Sequence, residues 1–158
     1  MSEIRRRTIR GLKPGDRFSV SRRFTEADTR RFGDLTRDYN PVHYDDRFAR
    51  SKGLTGRICH GLLVGALITE IGGQIGWLAS GMNFRFLAPV YFEETVTCTL
   101  TICEIDRRDR ARALAEFQTT DGRRVATAEL FGLLPSEADR IVMQQTADEG
   151  GSNTPLRS

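Results

Sequence analysis

The sequence predicts an α+β fold in which an antiparallel sheet wraps around one long, buried central helix. Three observations carry this. Leu62 to Ile71 is apolar nearly all the way round, the pattern of a helix enclosed by protein rather than laid on a surface. Strand-like runs joined by short turns follow it, as in an antiparallel sheet. A compact polar cluster precedes it, near the helix N-terminus, where N–H groups are free and the dipole is positive.

The elements follow in chain order. Residues 1–16 are polar and basic, and the Arg5-Arg6-Arg7 run reads as a solvated tail before a turn at Lys13-Pro14-Gly15-Asp16. Arg17 to Phe24 alternates loosely and reads as a first strand. Thr25 is a good N-cap with Asp28 three residues on, close to a capping box, so a helix should run from Glu26 to about Arg37 with Phe32, Leu35 and Tyr39 on one side. Pro41 disfavours helical backbone at Asn40, so that helix ends before it. Asp45 to Arg50 reads as a short helical turn, and 51–57 as loop.

Gly65 and Ala66 give the central helix small positions where another layer can approach. Glycines 72, 73 and 76 supply its stop. Met82 to Phe86 and Thr95 to Ile105 read as strands, with Pro89 marking a bend or edge between them. Arg107 to Arg110 is a charged hairpin tip, Arg112 to Thr119 a strand, Asp121-Gly122 a turn, and Arg124 to Leu134 the last strand. A short helix over 137–145 is compatible with the sequence, and the composition of 148–158 is that of a disordered tail. The division expected is one domain over 1–136 and a polar, partly disordered tail over 137–158. A sheet of this kind leaves its edge strands open, so two copies are expected to pair as a homodimer.

Bulk composition narrows the function classes. A chain of 158 residues with 28% charged and 39% hydrophobic residues is one soluble globular domain with a real core. The formal net charge of +3 is too small to argue for a nucleic-acid partner. No apolar run approaches a membrane span and the N-terminus carries no signal core, so no membrane partner is expected. Cys59, Cys98 and Cys103 are odd in number and lack metal-ligand spacing; they read as free thiols in a reducing cytoplasm, with no metal site.

The chain has two histidines, both in the polar cluster. In Asp38-Tyr39-Asn40-Pro41-Val42-His43, Pro41 breaks the helix and lets the chain bring Asp38 and His43 to one point. A carboxylate and an imidazole about one water apart make an acid–base pair, with the carboxylate orienting the imidazole. Spacing alone equally allows a plain turn, with Asp38 capping backbone groups and His43 on the surface. In Cys59-His60-Gly61, the Gly61 N–H at the start of the buried helix can face a developing oxyanion, or simply begin an ordinary helix. A Cys59–His60 nucleophile pair is disfavoured, because adjacent side chains diverge and nothing orients the base.

Asp38-x-Asn40-Pro41-x-His43, then Arg57-Ile58-Cys59-His60-Gly61-Leu62-Leu63, then Phe86-x-x-Pro89-Val90, resembles the MaoC-type hot-dog proteins, and among them the (R)-specific enoyl-CoA hydratases. The resemblance covers roughly residues 17–134. It implies a hot-dog fold that dimerises edge to edge, and reversible addition of water to a trans-2-enoyl thioester of CoA or acyl carrier protein, with no cofactor beyond that substrate. It implies that Asp38 and His43 activate water and move its proton, and that the Gly61 N–H stabilises the enolate oxygen. Asn40 fixes the turn or binds the acyl group, and His60 shapes the helix entrance. Some family members carry a serine near the middle of the buried helix; here Ala66 and Thr69 occupy that region, and Thr69 is the candidate for a pocket hydroxyl. Glu70 stands on the same helix, where hot-dog thioesterases place a basic carboxylate, so an acyl-CoA thioesterase is the second reading. A non-catalytic acyl-CoA binder or dehydratase subunit is the third. Arg57, Arg85 and Lys52 flank the site region, either toward the carrier's phosphates or as solvated surface charges.

Overall fold

A computed structural model describes residues 1–150. The expected disorder over 148–158 falls mostly on residues 151–158, which lie outside the described residues. The order is α1 (Glu3–Arg10), β1 (Arg17–Arg23), α2 (Glu26–Thr36), a 3-10 turn (Pro41–His43), α3 (Asp46–Ser51), α4 (Gly61–Gly65), α5 (Leu67–Ile75), β2 (Leu78–Phe86), β3 (Thr95–Ile105), β4 (Arg110–Thr119), β5 (Arg124–Leu133) and α6 (Glu137–Asp148). The five strands form one antiparallel sheet in the order β1-β3-β4-β5-β2. No helix among the described residues is long and apolar enough to cross a membrane.

The sheet closes over α4 and α5, the hot-dog arrangement. Val64, Leu67, Ile68, Ile71 and Ile75 are buried against Val96, Leu100, Ile102 and Phe117. The inner face of β4 and β5 is rich in alanine, with Ala113 opposite Leu130 and Ala115 opposite Ala128, which leaves room for a helix. The helix answers with a small residue of its own: a side chain at Gly65 would come within 2.9 Å of the Phe84 ring.

The central helix is one path in two pieces rather than one continuous rod. Ala66 separates α4 from α5, and its carbonyl accepts both the Thr69 N–H at 2.9 Å and the Thr69 hydroxyl at 2.7 Å. A hydroxyl folded back on a nearby carbonyl bends a helix in this way. Nor is the helix buried all round: Leu62, Thr69 and Glu70 are exposed. Gly72 and Gly73 do not stop it. A mid-helix glycine costs about 0.5–1 kcal/mol relative to alanine, less than the roughly 1.5–3 kcal/mol from burying each of Ile71 and Ile75. The stop is Gly76, left-handed at φ 77°, whose N–H bonds the Gly72 carbonyl.

The amino-terminal stretch is no solvated tail. It is helix α1, capped by the Ser2 side chain, with Arg5 and Thr8 buried. Arg5 donates to the Gly73 carbonyl at 2.8 Å, an acceptor on another element that local sequence does not reveal. Helix α6, with a Ser136–Asp139 capping box, packs against α1 and runs three residues past the sequence expectation. Around α2 the Thr25–Asp28 capping box forms as expected, but Leu35 and Tyr39 are exposed, so only Phe32 of that trio turns inward.

Arg5 and Arg6 are equivalent in the sequence and opposite in the structure. Arg5→Ala should lower stability by about 1.5–3 kcal/mol, the worth of a hydrogen bond from a charged donor. Arg6→Ala, which removes an exposed pair with Glu3, should change it by less than about 0.5 kcal/mol. Urea midpoints of the two variants check this.

Candidate active site

Three short segments build the site. Helix α2 ends at Arg37, which takes a left-handed conformation (φ 59°) and turns the chain so that Asp38 leaves the helix axis. The Asn40 side chain then caps the 3-10 turn, accepting the Val42 N–H at 3.3 Å, with Pro41 at its first position. That turn delivers His43 into the protein, where it is 8% exposed. The third segment, Ile58 to His60, is held on both sides. Ile58 N–H bonds the Val42 carbonyl and Cys59 N–H bonds the Val90 carbonyl at 2.8 Å.

Both imidazoles have fixed tautomers. His43 Nδ1 lies 2.9 Å from the Ile58 carbonyl, so Nδ1 carries the proton and Nε2 keeps a free lone pair. Burial lowers the proton affinity of His43 below the ordinary imidazole value. His60 Nε2 lies 3.0 Å from the Asp38 main-chain carbonyl and therefore also carries a proton. The two rings stack, 3.8 Å between centroids and 30° between planes. The Asp38 side chain is about half exposed and accepts the Asn40 N–H through Oδ1.

Asp38, His43 and His60 bring one donor atom each to within 4.8 Å of one another. The carboxylate and the imidazole are thus close enough for one water to bridge with two hydrogen bonds of about 2.8 Å. The same three groups are the donor set a metal would need. One nitrogen of each ring is already committed to a carbonyl, which leaves each imidazole a single nitrogen for any ion.

These groups open on a cleft of about 660 Å³ whose walls are mostly apolar, among them Phe32, Leu54, Ile58, Leu62, Val90 and Val125. Gly61 lines it as the first residue of α4. Its N–H has no acceptor within the helix, as for every first-turn amide. A side chain there would press on the Phe86 ring at 3.0 Å, so glycine lets β2 close against the helix without displacing that ring.

The site residues read from the sequence therefore separate. Asp38, His43, His60 and Gly61 share the cleft. Asn40 does not line it; its side chain is spent on the turn. Thr69 does not line it either: eight residues beyond Gly61 on the helix path it is about 12 Å along the axis, exposed, with its hydroxyl held by Ala66. Glu70 is exposed and borders a separate hollow with Arg22 and Leu63. Arg57 is committed to Glu26 at 2.8 Å and lies 3.5 Å from Asp46, so it holds the loop rather than waiting for a phosphate. Burial pushes the Cys59 thiol up to about 11, which keeps it protonated and removes it as a nucleophile. Sequence reasoning missed Tyr44, whose hydroxyl donates to the Asp38 carbonyl at 3.3 Å. The signal was Gly33 inside α2, a helix-weakening residue where the phenol hydroxyl sits.

The MaoC like domain family matches residues 12–122. The chain belongs to that family. An (R)-specific enoyl-CoA hydratase of Aeromonas caviae is 29% identical over 134 residues, covering 81% of this chain and 99% of that protein. A mitochondrial 3-hydroxyacyl-[acyl-carrier-protein] dehydratase of Arabidopsis thaliana is 30% identical over 87 residues, 54% of this chain and 52% of that protein. The unliganded R-hydratase PhaJ1 of Pseudomonas aeruginosa superposes with a TM-score of 0.74 at 27% identity, covering 82% of this chain and 86% of the other.

The depressed proton affinity of His43 has a sign in stability. The unfolded chain takes up a proton near the ordinary value of about 6.5 that the folded chain resists, so folding weakens as pH falls through that value. The urea midpoint of the wild type should therefore fall between pH 7.5 and 5.5, and by less in His43→Gln.

Proposed function

We propose that this hydro-lyase is an (R)-specific enoyl-CoA hydratase, adding water to a trans-2-enoyl thioester to give the (R)-3-hydroxyacyl thioester, and dehydrating it in reverse. The observation that carries the reading is the His43 imidazole, with Nε2 free and a ring nitrogen within 4.8 Å of an Asp38 carboxylate oxygen, on the wall of a largely apolar cleft. The apolar walls suit an acyl chain, and the polar end suits water. Water held between Asp38 and His43 gives up a proton to the pair as its oxygen bonds the β-carbon. The pair returns a proton to the α-carbon, so one water is added with no net change in the protein. Charge that builds on the thioester oxygen as the enolate forms meets the Gly61 N–H.

The carrier is CoA or acyl carrier protein, in keeping with the printed activities of the relatives. The thioesterase reading gains no support, since Glu70 is exposed and outside the cleft. The working unit is a homodimer. Among the described residues strand β2 is a free edge carrying Leu78, Met82 and Phe86, all exposed, and a second β2 would cover both those apolar side chains and the open edge. A cytoplasmic setting suits the three free thiols.

Crotonyl-CoA or a longer enoyl-CoA should lose its enoyl absorbance without release of thiol. Asp38→Asn and His43→Gln should each abolish this while keeping the circular dichroism of the wild type. Glu70→Gln should keep at least about a tenth of the activity, a loss below about 1.4 kcal/mol. Thiol appearing at the rate of substrate loss, stopped by Glu70→Gln and not by Asp38→Asn, would make the protein a thioesterase. Light scattering at micromolar concentration should give twice the chain mass.

A further inference from the structure

We propose that His60 and Tyr44 are positioning residues that lock the Asp38–His43 pair, clamping the Asp38 carbonyl from two directions while His60 also carries the His43 ring; this rests on the hydratase reading above. His60 is 2% exposed and touches both partners: its Nε2–H donates to the Asp38 carbonyl, and its ring lies against His43. Phe32 of α2 also packs on it, 5.2 Å between centroids. The Tyr44 hydroxyl reaches the same carbonyl, and its ring meets His60 edge-on at 6.0 Å. Helix α2 makes room for it, since any side chain at Gly33 would occupy the position of the Tyr44 hydroxyl. His60 Nδ1 has no partner among the described residues. A buried acceptor left unsatisfied costs stability, and an apolar ring would fill the space without that cost. The imidazole is kept for what its other nitrogen holds. The Asp38 carbonyl has no other donor among the described residues, so this clamp, with the Asn40 N–H on Oδ1, sets where the carboxylate stands relative to His43.

The groups facing His43 are Asp38 and Tyr44 on its own turn, and His60 with the Ile58 carbonyl on the segment before α4. Burial is the largest influence on its proton affinity, and His60 lowers it further while Asp38 raises it.

The test is steady-state hydration of an enoyl-CoA by four variants, with thermal midpoints and a pH profile of kcat/KM. His60→Phe keeps a flat ring and removes the donor; His60→Gln keeps a donor and removes the stack; Tyr44→Phe removes one hydroxyl; the fourth combines His60→Phe with Tyr44→Phe. Misplacing a catalytic group should lower kcat by about 10–100-fold in His60→Phe and by about 3–10-fold in Tyr44→Phe, with KM changed less than about threefold. Because the two act on one carbonyl, the double variant should lose less than the product of the single losses. His60→Gln should recover part of the loss of His60→Phe, and the acid limb in His60→Phe should move to higher pH, since His60 lowers the proton affinity of His43. If His60→Phe fails to fold, His60→Gln and Tyr44→Phe carry the kcat comparison. Wild-type kcat in both His60 variants, or losses that follow only the folded fraction with an unmoved acid limb, would overturn the proposal. Asp38→Asn separates it from the reading beneath: an active Asp38→Asn sinks the hydratase assignment, whereas an inactive Asp38→Asn beside a fully active His60→Phe sinks the positioning role alone.

Discussion

The seating of α4 and α5 in the alanine-lined inner face of the sheet is the contact on which the site depends. Five aliphatic residues of the helix path, Val64, Leu67, Ile68, Ile71 and Ile75, go into it. At roughly 1.5–3 kcal/mol for each fully buried side chain, it outweighs the glycines and the bend at Ala66. Once the helix is fixed, its first residue is fixed with it. Gly61 must then meet Phe86, and His60, one residue earlier, must turn inward. The chemistry is attached to the end of a packed helix, where free amides and close backbone approach are available.

The second layer of control is directional hydrogen bonding to main-chain carbonyls. Ile58 takes the Nδ1 proton of His43, and Asp38 takes the Nε2 proton of His60. Each carbonyl leaves the ring with one free lone pair and one orientation. Burial works in the same direction by disfavouring the charged imidazolium, so His43 stands ready as a base rather than as a cation. Asp38 differs: half exposed, it stays in contact with solvent on one side while facing His43 on the other.

Helices α1 and α6, both outside the matched region, support the core rather than the cleft. Helix α1 covers the far end of α5 through the Arg5–Gly73 bond, and α6 packs against α1. At the opposite extreme of exposure stands β2, whose outer edge is unpaired among the described residues. The same strand supplies Phe84 and Phe86 to the helix, so the edge proposed to meet a second copy is continuous with the wall of the cleft.

The sequence by itself determined the parts governed by neighbours along the chain. The Thr25–Asp28 cap, the end of α2 before Pro41, the alternation of β3 and the turn at Asp121-Gly122 follow from local geometry, and each is found where the pattern puts it. The Asp38–His43 spacing around Pro41 was legible for the same reason, since a proline-broken turn folds a five-residue path back on itself. Tertiary structure decided whatever needed a partner from far along the chain. Arg5 is buried because Gly73, 68 residues away, offers a carbonyl, whereas Arg6 beside it stays exposed and finds only near neighbours, Glu3 and the Met1 carbonyl. Gly72 and Gly73 stay helical because the isoleucines around them are buried. Thr69 misses the cleft because the helix carries it too far along its axis. His60 joins Asp38 to His43 because the strand-like Ile58–His60 segment is pinned beside the turn, a pairing of residues 22 apart that no local pattern records.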